Sequence, residues 1–124
     1  MHRGLRYLRN LALALLGLLL VLGAVAAGVL LWPEAPPPVI GQNLPESVPE
    51  ADAEFARRVA EAFPLPIRAD ALAASLDEQG FTVAGNHAFF GRGEFPCQRE
   101  WIIRWEAEAG EVRAISGRYG RTCL

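Results

Sequence analysis

Three kinds of side chain in this 124-residue chain could do chemistry: the cysteines Cys97 and Cys123, the single histidine of the C-terminal half, His87, and the arginines Arg99, Arg118 and Arg121. Two thiols can pair as a disulfide, cycle as a redox couple or ligate a metal. A redox couple is typically built as C-x-x-C, which is absent, and a metal would need more ligands than one nearby histidine supplies. A structural disulfide is therefore expected. His87 has no Ser or Asp neighbour to make a triad, and as a lone histidine among apolar strand residues it reads as a hydrogen-bonded structural group. The carboxylates do not resolve into an acid–base pair. These residues predict no catalytic site, no metal and no cofactor, hence a non-enzymatic protein. The arginines remain. Arg99 and Arg121, with Arg118 or Arg92, could receive an anion or an acidic partner, although splaying at a sheet end, or pairing with Glu94 or an acidic linker residue, is the favoured account.

The elements that place these residues follow from hydrophobic period. Residues 98–107 set Trp101, Ile103 and Trp105 on one face and Glu100, Arg104 and Glu106 on the other, an alternation that predicts a half-buried strand. Glu108-Ala109-Gly110 signals a turn, and 112–119 returns. Pairing residues whose numbers sum to 220 sets Trp101 against Tyr119, Trp105 against Ile115 and Cys97 against Cys123. A one-residue slip exchanges the two faces. A sum of 218 keeps the faces and suits a turn with Gly110 left-handed, so a bulge could join the two registers. The 220 register is favoured because it aligns cysteines and aromatics together. It also puts Arg99 opposite Arg121, where like charges repel. Closing a loop of that length is worth roughly 3 kcal/mol in the chain-entropy picture, a large share of what so small a core supplies.

Upstream, Phe55, Val59 and Phe63 recur every fourth residue and predict a helix over 50–63, ended by Pro64 and Pro66. Leu72, Ala73 and Leu76 predict a second helix over 68–79, with Gly80 at its C-cap. From Phe81 the period changes to two. Phe81, Val83, His87 and Phe89 share one parity, Gly85-Asn86 interrupts as a bulge or turn, and 91–96 (GRGEFP) reads as a loop. The order helix, helix, strand, strand, strand predicts a two-layer α+β domain, ααβββ with an antiparallel sheet, over 51–124.

The first fifty residues have a different character. Residues 11–32 form an apolar run without a charge, long enough as a helix to cross a hydrocarbon core of about 30 Å. Arg3, Arg6 and Arg9 make residues 1–10 basic, whereas 33–54 carry five acids and no base. The positive-inside rule then predicts a cytoplasmic N-terminus, a transmembrane signal-anchor and a periplasmic or extracellular domain. Ala24-Val25-Ala26 matches a cleavage pattern, so a secreted form released near Ala26 is the alternative, but the apolar run continues to Trp32. Six prolines in residues 33–50 predict an extended linker, a stalk of on the order of 50 Å. Residues 55–124 balance nine arginines against nine acids, which excludes a nucleic-acid-binding surface.

The amphipathic helix with Leu72 and Leu76, the Gly80-Phe81 exit and the closing hairpin WIIRWEAEAGEVRAI resemble, in order and pattern over about residues 51–120, the small SmpA/BamE-type envelope domains. That family is anchored to the outer membrane through a lipidated cysteine. This chain has an apolar helix instead, and no cysteine follows its apolar run. The resemblance implies an accessory domain of the cell envelope. The expected partners are the lipid bilayer and an envelope protein. A ligand-binding or inhibitor/immunity-type domain is the alternative.

Overall fold

The computed structural model describes residues 2–124, which divide into two compact units, one up to Ala35 and one from Pro36. The first is one helix, α1, His2–Leu30. It begins well before the apolar run, so Arg3, Arg6 and Arg9 are helical too. None of its residues is buried, and it is long and apolar enough to cross a membrane. Its leucines have no protein core to join.

The second unit is α+β. Its elements are a 3₁₀ turn at Val39–Gly41, then α2 (Val48–Ala62), β1 (Ile67–Arg68), α3 (Ala69–Glu78), β2 (Thr82–Ala84), β3 (His87–Glu94), β4 (Cys97–Glu108) and β5 (Glu111–Cys123). The sheet is antiparallel and curled, with strand order β1-β5-β4-β3-β2. Ser47 caps α2 by accepting the Glu50 N–H, and Pro49 sits in the first turn, where its missing donor costs nothing. Phe55, Val59 and Phe63 face inward as their spacing requires, beside Leu72 and Leu76 of α3. Helix α2 lies over β5, and α3 touches the two edge strands β1 and β2 that it connects.

The long hairpin keeps the 220 register from Cys97↔Cys123 through Glu106↔Ala114. It then shifts by one residue, so that Ala107 pairs with Val112 and Glu108 with Glu111. The turn is closed by Ala109 and Gly110, both with positive φ, the backbone that matches strand twist in a two-residue hairpin. The shift reverses parity at its foot. Val112 thereby joins Ile115, Gly117 and Tyr119 on the core face and pairs with Ile67 of β1.

Three expectations need correction. The three-strand ααβββ layout becomes five strands, because Ile67–Arg68 pairs with the start of β5 and Gly85-Asn86 makes a full turn between β2 and β3. That turn pairs Ala84 with His87 and Val83 with Ala88, so Ala88 takes the buried place expected of His87 and Phe89, and His87 is exposed. GRGEFP is not all loop: β3 runs through Glu94, paired to β4 throughout. Finally, the proline-rich stretch is not a free linker to residue 50. From Pro36 it belongs to the domain, with Pro38 and Gly41 buried.

That docking is specific. The Trp101 indole Nε1 donates to the Gly41 carbonyl at 3.1 Å. Arg58 of α2 donates to the carbonyls of Ile40, Gln42 and Asn43. The contact with Trp101, and separately the packing of α2 on β5, each require a glycine. A Cβ on Gly41 would lie 2.6 Å from Trp101 Nε1, and one on Gly117 would lie 2.6 Å from a Val59 methyl and 3.3 Å from the Phe55 ring. Gly120, on the same strand as Gly117, has open space around it. Gly41→Ala and Gly117→Ala should each lower stability by about 1–3 kcal/mol, the usual cost of overpacking. Gly120→Ala should stay within about 0.5 kcal/mol. Urea denaturation of the three variants checks the ranking.

Candidate functional site

The curled sheet carries its chemistry-bearing residues in cross-strand rows on the face that bears Trp101. One row is Phe90, Trp101 and Tyr119. The next is Arg92, Arg99 and Arg121, and the last is Glu94, Cys97 and Cys123. The cysteines are disulfide-bonded, S–S 2.04 Å, and tie the open end of the β4–β5 hairpin. The row behind them sets three arginines at adjacent positions across three strands.

Aromatic packing orients the middle one. Phe90 meets Trp101 edge-on at 5.6 Å between centroids, and Tyr119 lies 5.4 Å from Trp101. The Arg99 guanidinium sits 5.0 Å from the Trp101 ring and 5.8 Å from that of Tyr119, within cation–π range, and its Nε donates to the Tyr119 hydroxyl at 3.0 Å. The hydroxyl's own proton therefore stays available to an acceptor. Tyr119 is held in turn through its backbone N–H, which donates to Asp52 Oδ1 of α2 at 2.8 Å. Glu94 Oε1 stands 3.9 Å from both Arg92 Nε and Arg99 Nη1, too far for a hydrogen bond and with the carboxylate more than half exposed. Arg121 is exposed and, among the described residues, is in no ion pair. An open cleft of about 680 Å³ adjoins the row, lined by Arg99, Tyr119, Arg121, Glu94, Glu46 and the Leu44-Pro45 segment, among others.

The structure thus brings together Cys97 with Cys123 and Arg99 with Arg121. It does not bring Arg118 to them: Arg118 pairs with Ile102 on the opposite face of the sheet, because neighbouring positions on a strand alternate sides. Arg92 takes the third place. The sequence names Arg92 as the alternative to Arg118, but reading GRGEFP as a loop gives it no register; the continuation of β3 through Glu94 is what sets it opposite Arg99. His87 lies at the start of β3 opposite Arg104, away from the cleft.

A second cluster fastens the proline-rich segment. Glu54 binds Arg57 through two hydrogen bonds and Arg58 through one, and Arg58 reaches the carbonyls of residues 40, 42 and 43. Hydrogen bonds from Arg57 first, then Arg58, lower the Glu54 pKa from 4.5 to about 2. Comparison with protein-family models, with curated proteins and with solved structures finds no match to this chain.

A carboxyl whose folded pKa is depressed contributes stability above its unfolded pKa and loses it as pH falls through the folded value. The Glu54 contribution should be full above pH 4.5 and vanish toward pH 2. Glu54→Gln should lower stability at neutral pH and flatten the acid limb across that window. Urea midpoints measured against pH for both proteins check it.

Proposed function

We propose that this chain is a single-pass inner-membrane protein, N-terminus in the cytoplasm, whose disulfide-bonded α+β domain works outside as a non-enzymatic interaction or accessory domain of the cell envelope. The observation that carries the reading is α1: a 29-residue helix, basic over its first turns and apolar thereafter, with no buried residue. In lipid such a helix satisfies its own backbone and leaves its leucines in a medium that suits them. The helix continues unbroken past Ala26 to Leu30, which favours an anchor over a cleaved leader. A disulfide across the hairpin suits an oxidising compartment. An interaction role is supported by two surfaces. One is the arginine row with its adjoining cleft. The other is the opposite face of the sheet, where Phe89, Ile102 and Arg118 stand in line with Phe89 and Arg118 exposed. Holding such surfaces at the membrane raises their effective concentration toward any partner in the same bilayer.

In spheroplasts the full chain should resist carbonate extraction, keep the peptide bearing Arg3, Arg6 and Arg9, and lose residues 36–124 to added protease. A mature chain beginning at Ala27, or a domain untouched until the cells are lysed, would contradict the anchor. A photocrosslinker at Ile102 should capture one stoichiometric membrane protein. Its absence, with the topology confirmed, would leave the anchor standing and remove the interaction role.

A further inference from the structure

The tether between the two units is short. Helix α1 ends at Leu30 and the second unit begins at Pro36, so only Leu31 to Ala35 join them. Five residues reach roughly 18 Å when fully extended. An eighteen-residue stalk would have let the domain stand clear of any surface. A five-residue one does not.

The first residues of the second unit lie beside one particular surface of it. Gln42 binds the Pro37 carbonyl, and Gly41 lies against Trp101. One row further along β4 come Arg92, Arg99 and Arg121, then the disulfide, then the tip of the β3–β4 loop, where Phe95 is 92% exposed next to Pro96. This end of the domain therefore combines a row of guanidinium groups with an aromatic ring projecting past them. Glu46 and Glu94 are among the carboxylates there, and Glu94 is already directed at Arg92 and Arg99. Arg121 is exposed, and Arg99 is held in place by Tyr119 with its remaining N–H groups free of that bond.

Planar, always-charged forks in a row fit phosphate oxygens, and an aromatic ring beside them fits the headgroup-to-acyl boundary. We propose that the disulfide end of this domain docks on the phospholipid surface from which its own anchor emerges, with Arg121 and Arg99 receiving lipid phosphates and Phe95 entering the interface. The inference rests on the membrane-anchor reading and goes beyond it by assigning the surface and its ligand. The docked state holds the cleft beside the arginines against the leaflet and turns the rest of the domain toward the aqueous side.

The test uses the full chain in vesicles of phosphatidylcholine with phosphatidylglycerol, and in phosphatidylcholine alone, each with brominated lipids as fluorescence quenchers. In the parent chain Trp101 and Trp105 are buried in the domain core, so lipid quenching there reports the anchor through Trp32, and the added quenching in Phe95→Trp reports the tip. The expected result is quenching at both positions, with the position-95 component stronger in the anionic vesicles and weakened by salt. Arg121→Gln should reduce the docked-to-undocked ratio about fivefold, the equivalent of the roughly 1 kcal/mol that one basic residue contributes near an anionic leaflet. Retained near-ultraviolet circular dichroism would show that the variant is folded. Quenching of Trp32 without quenching at position 95 overturns the docking and leaves the anchor intact. Quenching at position 95 that ignores lipid charge and Arg121→Gln overturns the phosphate assignment. Absence of quenching at Trp32 overturns the anchor and the docking together.

Discussion

The second unit is organised around a tryptophan that cannot be buried by strands and helices alone. Trp101 is fully buried in the middle of the sheet's core face. Removing a ring of that size from water, on the order of 200 Å², is a large gain for a small domain, but an indole N–H left without an acceptor would cost about 1–3 kcal/mol. The acceptor is a backbone carbonyl at Gly41, sixty residues away in the chain. Satisfying one donor therefore recruits the proline-rich segment into the fold. The rest follows. Residue 41 must lack a side chain, Arg58 must hold the neighbouring carbonyls, and the connection to α1 shrinks to five residues. The same ring supports Arg99 from below, so the core and the arginine row share a residue.

A domain of this size gains from covalent and polar fastenings because its apolar core is limited. The core comprises thirteen buried hydrophobic residues. The disulfide fastens one end of the long hairpin. The tight turn at Ala109-Gly110 fastens the other, and Asp52 joins α2 to the backbone of β5 midway. These three ties bracket Trp101 and Tyr119 and give Arg99 a defined orientation. The arginine row is placed by sheet register rather than by loops, so its spacing is set by backbone pairing.

Much of this was legible in the amino-acid sequence where one interaction dominates its neighbourhood. The register of β4 on β5 could be read because cysteines, aromatics and face alternation all chose the same pairing. Helices α2 and α3 could be read from four-residue recurrence of Phe, Val and Leu. What was not legible is what depends on partners distant in sequence. Gly41 gives no local sign that it meets Trp101, and a stretch with six prolines in eighteen residues looks extended on composition alone. The two-residue strand β1 is too short to have a period. At Gly85-Asn86 the choice between bulge and turn decided which residues of β3 face inward, and so whether His87 is buried and whether Arg92 lies beside Arg99. Arg118 was excluded from the row by strand alternation, visible once the 220 register is applied strictly.

The docking of the proline-rich segment through Trp101 has the widest consequences, because the short tether follows from it and the same ring supports Arg99. The most direct measurement is hydrogen exchange of the Trp101 indole N–H, followed by nuclear magnetic resonance in the full chain, against the backbone amide of Ile103 in the same core. The account predicts that the indole proton is protected to the same degree as that amide, since both would exchange only when the domain opens. Exchange of the indole at the rate of a solvent-exposed side chain, with the Ile103 amide still protected, would contradict it: residues 36–47 would then be a free linker, and the domain would begin at α2.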